Sequence, residues 1–149
     1  MSFDIVKSHE KEMQLVEDKI IAFNNNQVPF TQDKDFIDLN FHVKDENNVV
    51  IAGINSLMYC WGMLYINVLF VDDNHRGQQL GSLLLNKVEV EARSMGASLS
   101  HLDTFDWQAK DLYIKHGYEI FGVLEGCPPS HKRYYMKKIL NFTHNTEEI

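Results

Sequence analysis

The alternation of apolar and polar positions predicts three consecutive strands in the first half of the chain. Between residues 37 and 43, four apolar residues alternate with polar ones, which is the pattern of a half-buried strand. Further strands are predicted at residues 49–57 and 63–71, and the connections between them carry Asn47, Asn48 and Gly62, residue types typical of turns. Such short connections predict an antiparallel meander.

A helix is predicted on each side of this meander in the sequence. Apolar residues recur every three or four positions from Met13 to Phe23, and the asparagines at residues 24–26 predict the end of this first helix. A second apolar stripe from Leu80 to Met95 predicts a longer helix, which Gly96 ends.

The remaining pattern completes a mixed α/β fold. Strands are predicted at residues 97–104, 118–124 and 132–140, and a short helix is predicted at residues 107–116. The fold class is therefore α/β (α+β), with a mixed, mostly antiparallel central sheet and helices on both faces. We expect residues 1–149 to form a single domain, since this length suits one core.

Composition narrows the classes of function. The formal net charge of −7 disfavours nucleic-acid binding, and no apolar run is long enough to span a membrane. Because the N-terminal residues do not resemble a secretion signal, we expect a cytoplasmic protein. Cys60 and Cys127 are predicted to be free thiols, and no histidine has the spacing of a metal site.

The segment HRGQQLGSLLL joins the third predicted strand to the long helix. A helix start leaves backbone N–H groups unpaired and carries a partial positive charge, so a loop with Gly77 and Gly81 there could surround a phosphate. The better-known phosphate loops need Gly-Lys-Ser/Thr or Gly-x-Gly-x-x-Gly, and neither occurs. The segment therefore indicates an anion site of another kind.

Two motifs resemble those of the GNAT superfamily of N-acetyltransferases. Residues 76–81 are similar to its pyrophosphate loop, Arg/Gln-x-x-Gly-x-Gly/Ala, with Gln79 where the middle glycine usually stands. Residues 109–118 resemble its second signature, Ala-x-x-Leu-Tyr-x-Lys-x-Gly-Phe/Tyr. Asp106 stands where many members have asparagine, and either residue can cap the short helix that follows. The two motifs cover roughly the C-terminal half of the chain.

The resemblance implies a fold with splayed strands at a cofactor site and acetyl-CoA as cosubstrate, without a metal. The backbone of residues 69–71 would bind the pantetheine arm as an added strand would. Tyr113 would be the general acid that protonates the departing thiolate, although by itself a tyrosine at this place is more often a core residue. The residues implied at the cofactor are Leu69, Phe70, Val71, Arg76, Gly77, Gln78, Gln79, Gly81, Ser82, Asp106 and Ala109.

The acceptor and its base stay open at this point. The expected reaction transfers acetyl to a primary amine of a small molecule or peptide, and Asp103, Glu125, His131 or a water chain could take the proton of the amine. A non-catalytic acyl-CoA sensor of the same fold is the alternative. A nucleic-acid module is a third interpretation, which the basic and aromatic residues 130–138 suggest but a final strand explains equally well. The late strands are compatible with a homodimer.

Overall fold

The computed structural model describes residues 2–141. By its contacts the chain divides into two compact units, Met1–Thr31 and Gln32–Ile149, which are described separately. The helices are α1 (Glu10–Gln27) in the first unit and α2 (Leu80–Ser94) and α3 (Lys110–Lys115) in the second. The strands are β1 (Phe36–Asp38), β2 (Phe41–Lys44), β3 (Val50–Tyr59), β4 (Met63–Val71), β5 (Leu99–Phe105), β6 (Glu119–Glu125) and β7 (Lys132–Ile139).

The second unit is built on a mostly antiparallel sheet, as the sequence predicts, with seven strands where the sequence predicts six. Its order is β1-β3-β4-β5-β7-β6, and β2 pairs with β3 beside β1. Among the strands within residues 2–141, only the pair β4 and β5 is parallel, because α2 connects these two strands, whereas the meander and the last two strands run antiparallel.

One face of the sheet and the apolar stripe of α2 form the core. Leu85, Val88 and Ala92 of the helix are fully or almost fully buried, and they belong to one cluster with Ile66 of β4 and Leu102 of β5. Leu83 and Met95, also expected on the stripe, are exposed. The periodic leucines and valines therefore fix α2 against the sheet and bring its first turn close to the end of β4.

In its C-terminal half, β4 contains a bulge and separates from β5. Its pairing with β3 skips Asn67, since Asn55 is opposite Val68 and Ser56 is opposite Ile66. The parallel pairing with β5 ends at Ile66 and Leu102, although both strands continue. From residue 67 onward, the edge of β4 that faces β5 is left without strand partners, which agrees with the expected splayed strands.

Three predicted boundaries are wrong, each for a local reason. The predicted strand at 37–43 is two strands, because Leu39 donates its backbone N–H to the Ser56 carbonyl and turns into the core. Helix α1 continues through the asparagines to Gln27, and the Asn25 side chain accepts a bond from the Phe30 N–H. Helix α3 begins at Lys110 instead of residue 107.

Among residues 2–141, no helix combines the length and the apolar character that crossing a membrane requires.

Candidate functional site

The loop between β4 and α2 is held by its own backbone and by Arg76. Asp72 donates its N–H to the Ile51 carbonyl, and a short 3₁₀ turn follows at Asp73–His75. The Arg76 Nε donates to the Val71 carbonyl at 3.2 Å, and its guanidinium pairs with the exposed Asp73 at 3.0 Å. These bonds fold the loop back over the end of β4.

The backbone N–H groups of residues 77–82 have no acceptor in the described part of the chain. The first amide of α2 that donates within the helix belongs to Leu83, which bonds the Gln79 carbonyl at 3.0 Å. Gly77 has a φ of +85° and Gln79 a φ of +66°, so both lie in the left-handed region that bends the chain into the helix. The result is a row of unpaired donors at a helix N-terminus, which is suited to an anion.

These amides border a cleft of about 560 Å³, a volume typical of small-molecule sites. The cleft extends from the splayed end of β4 across the loop to the start of α3. Its cationic side chains are Arg76 and Lys115. The lining residues are Leu69, Phe70, Val71, His75, Arg76, Gly77, Gln79, Leu80, Gly81, Ser82, Trp107, Gln108, Ala109, Leu112 and Lys115.

Most residues expected at a cofactor therefore lie together on this cleft. Gln78 and Asp106 do not line it. The Ser82 hydroxyl is 3.0 Å from His116 Nε2, so this side chain connects α2 to the end of α3. Gly81 lies against Leu112, because a Cβ on the glycine would come within 3.0 Å of the leucine side chain.

Tyr113 is 95 % buried by its neighbours, since only 5 % of its surface is exposed. Its hydroxyl has no hydrogen-bond partner among residues 2–141, and no described buried polar atom lacks a partner, so solvent must reach the hydroxyl. Burial, and secondarily the negative charge of Asp103, raise the pKa of Tyr113 well above that of an ordinary phenol. The residue is therefore protonated at neutral pH, and unlike its neighbour Leu112 it does not line the cleft.

Asp106 does not cap the short helix, contrary to expectation. Its Oδ2 accepts the Lys132 N–H at 2.9 Å, and its Oδ1 is 2.9 Å from His131 Nδ1. The bond with His131 is the main reason that the pKa of Asp106 is lowered. Asp106 thus fixes the loop before β7, and Ala109 takes the N-cap position of α3 without a side-chain bond.

The three candidate bases are in different surroundings. Asp103 has both oxygens engaged, because Tyr65 donates to Oδ2 at 2.9 Å and Arg133 donates to Oδ1 through Nε at 2.9 Å. Glu125 is an exposed residue at the end of β6. The His131 ring packs edge to face with that of Trp107, a residue that lines the cleft.

Several cleft residues were not predicted from the sequence. Trp107 stacks on Phe105 with ring centroids 4.7 Å apart, and Gln108 accepts a bond from the Phe105 N–H at 2.7 Å. Lys115 could have been found, because it belongs to the second signature and lies one turn after Leu112. Leu80 likewise lies within the first motif, whereas His75 and Trp107 carry no comparable signal in a single sequence.

Two further expectations concern cysteines and metals. Cys60 and Cys127 are both free cysteines in the structure. Within residues 2–141, the structure contains no cluster of three or more histidine, cysteine, aspartate or glutamate side chains that could hold a metal ion.

The sequence of this chain is similar to those of known acetyltransferases. The acetyltransferase (GNAT) domain family matches residues 38–120. An acetyltransferase of Agrobacterium fabrum is 30% identical over 109 residues, which are 73% of this chain and 77% of the relative. The blasticidin-S acetyltransferase of Streptomyces morookaense is 33% identical over 81 residues, which are 54% of this chain and 60% of the relative.

A solved structure covers nearly the whole chain. The crystal structure of an acetyltransferase from Bacillus cereus has a TM-score of 0.80 and 30% sequence identity, and the match covers 92% of this chain and 97% of that one. The matched family region contains the β4 loop, α2 and α3, so the likeness includes the elements that build the cleft. The chain belongs to the GNAT family of acetyltransferases.

Proposed function

We propose that this protein transfers the acetyl group of acetyl-CoA to a primary amine of a small molecule by direct attack in a ternary complex. The observation that carries this proposal is the row of unpaired amides at residues 77–82, which borders a cleft at the start of α2. An anion at this place would satisfy donors that otherwise face only water, and the helix dipole would favour its charge.

The residues present fit the diphosphate and the pantetheine arm of coenzyme A. Arg76 and Lys115 supply positive charge to a diphosphate beside the amides. The β4 edge at Leu69–Val71 has backbone groups free of β5, which can bond the amides of a pantetheine arm. Bound in this direction, the cosubstrate would bring its thioester toward α3, where Tyr113 follows the cleft residue Leu112.

Tyr113 is the proposed general acid. As the amine nitrogen bonds to the acetyl carbon, the carbon–sulfur bond breaks and the sulfur takes the phenolic proton of Tyr113. Because its raised pKa makes Tyr113 a weaker acid than an ordinary phenol, its proton moves only as negative charge develops on the sulfur, and solvent returns a proton to Tyr113 after the thiol leaves. The amine passes its own proton to a base, for which Asp103, Glu125, His131 and water stay open, and Asp103 could serve only by giving up one of its two bonds.

The acceptor class rests on the relatives and on the chemistry of the reaction. The name of the Streptomyces relative specifies blasticidin S as the molecule that it acetylates. We infer a small-molecule amine for this chain by that analogy. The absence of nucleic-acid binding, the homodimer, the single domain and the cytoplasmic location stay predictions.

The test measures release of free thiol from acetyl-CoA with a panel of amines, together with acetyl-CoA binding by calorimetry. Tyr113→Phe should bind acetyl-CoA normally and lower kcat by roughly a hundredfold, the scale of general acid catalysis. Its stability should change little, because the lost hydroxyl makes no hydrogen bond within the described residues.

Tyr59→Phe is the matched control, since it removes a tyrosine hydroxyl that bonds His101 at 2.7 Å away from the cleft lining. It should keep full activity. If the protein binds acetyl-CoA but releases no thiol with any amine, it is a non-catalytic acyl-CoA sensor of the same fold and not an enzyme. If it does not bind acetyl-CoA at all, both hypotheses are refuted.

A further inference from the structure

A buried polar network lies behind Tyr113. The Tyr118 hydroxyl donates to Glu89 Oε2 at 2.9 Å, and it lies 2.7 Å from the Ser100 hydroxyl. A phenol has one proton to donate, so Ser100 must be the donor in the second bond. Tyr118, Glu89 and Ser100 are 3%, 2% and 0% exposed, respectively. The Tyr118 ring is therefore held at its far end by two bonds that solvent does not reach.

The charge in this network is compensated. Lys138 Nζ donates to Glu89 Oε1 at 2.7 Å, and Arg93 NH2 lies 3.6 Å from the same oxygen. The Lys138 side chain passes over Gly117, where a Cβ would come within 3.5 Å of its Cε. The carboxylate consequently has two cationic partners besides the tyrosine, so it stays paired when the Tyr118 hydroxyl is removed.

Tyr118 contacts Tyr113 through its ring and its backbone. The two rings are arranged edge to face, with centroids 5.6 Å apart and planes inclined at 65°. The Tyr118 N–H also donates to the Tyr113 carbonyl at 2.9 Å. Since the Tyr113 hydroxyl has no hydrogen bond of its own, the direction of this hydroxyl depends on how its ring is packed.

We propose that Tyr118 is a positioning residue, which Glu89 and Ser100 hold in place so that its ring directs the Tyr113 hydroxyl toward the thioester sulfur. This inference rests on the proposed function. Displacing a proton donor by about an ångström can lower the rate of an enzyme by roughly a hundredfold. A ring that is fixed by hydrogen bonds can hold the Tyr113 hydroxyl in place more firmly than an apolar side chain without such bonds.

The test uses Tyr118→Phe, which keeps the ring and removes both bonds. We expect kcat to fall by about tenfold while the KM for acetyl-CoA stays unchanged, because the cleft is not altered. Ser100→Ala removes only one of the bonds and should give a smaller decrease in kcat. Tyr59→Phe, which loses a comparable bond away from Tyr113, should leave kcat as it is.

A second readout does not require turnover. With tyrosine labelled by ¹³C at Cζ, the Tyr113 resonance can be assigned by its loss in Tyr113→Phe and compared between variants at neutral pH. The charged and titratable groups that face Tyr113 are Asp103 from β5 and Tyr118, with Glu89 and Lys138 one contact farther away. A looser ring is exposed to more water, so in Tyr118→Phe the Tyr113 resonance should move toward that of an exposed tyrosine.

The outcomes separate the two proposals. If Tyr118→Phe lowers kcat and moves the Tyr113 resonance while Tyr59→Phe does neither, the positioning role is supported. If kcat and the Tyr113 resonance match the native protein, or if both tyrosine variants lose activity equally, the role is refuted. A native protein without acetyl transfer refutes the proposed function, and with it a catalytic role for Tyr118, whatever the resonance shows about the ring contact.

Discussion

At the scale of single residues, the loop has Gln79 where the GNAT motif usually has a glycine, and Gln79 adopts the backbone conformation that such a glycine would have. It is the N-cap of α2 with φ of 66° and ψ of 17°, a left-handed conformation that glycine adopts without strain. The cost for another residue is about 1–2 kcal/mol. The missing glycine therefore adds local strain without removing the unpaired amides around it.

Gln79→Gly should relieve this strain. The gain is partly offset by the greater flexibility of glycine in the unfolded chain, so we expect the free energy of unfolding to change by less than about 1 kcal/mol. Affinity for acetyl-CoA should be equal or higher, as calorimetry can measure. Gly77→Ala makes the opposite change at a φ of +85° and should lower both stability and affinity. A large loss of affinity in Gln79→Gly would show that the glutamine side chain itself binds the ligand.

At the scale of elements, the sequence allowed us to predict helices and strands that have one buried face. It did not allow us to predict where the backbone interrupts such an element. The bounds predicted for β4, residues 63–71, agree with the structure, and α2 begins one residue after Gln79. The predicted strand at 37–43 was wrong because Leu39 preserves the alternating pattern while the backbone turns there to bond β3. Hydrophobic periodicity reports which side chains are buried, but it does not report which partner strand accepts each amide.

The candidate site was predictable to a similar degree. The loop residues 76–82 followed from the motif and from the chemistry of helix starts, whereas the hydrogen-bond partners of Asp106 and Tyr118 did not. The partners of Asp106 are His131 and Lys132, which lie far along the chain. Tyr118 likewise meets Glu89 of α2 and Ser100 of β5 only in the folded protein. Such contacts depend on register, which a single sequence does not specify.

The close approach of α2 and α3 can be tested through Gly81. In Gly81→Val the new side chain would collide with Leu112, whose side chain also lines the cleft, so we expect lower stability and weaker acetyl-CoA binding. The double variant Gly81→Val with Leu112→Ala makes room and should recover part of both losses. A double-mutant cycle in calorimetry and urea unfolding measures this coupling, and strictly additive effects would contradict the contact.

At the scale of the whole molecule, the net charge of the chain is negative, whereas the charged side chains of the cleft are positive. The chain has a formal net charge of −7, yet the cleft presents Arg76, Lys115 and unpaired amides. A polyanionic cosubstrate would therefore depend on these local donors, because the overall field repels it as it repels nucleic acids.

The stability of the folded chain should also depend on pH through His101. Burial lowers its pKa from the ordinary value of 6.5, and Asp103 opposes this change only in part. Because the unfolded chain binds a proton at this residue more readily than the folded chain does, the free energy of unfolding should fall as the pH drops below about 6.5. His101→Gln, which can still bond the Tyr59 hydroxyl, should show a smaller loss of stability between about pH 7.5 and 5.5 in urea unfolding. The same loss in both proteins would mean that other groups cause the acid sensitivity and that the histidine accepts its proton freely in the folded state.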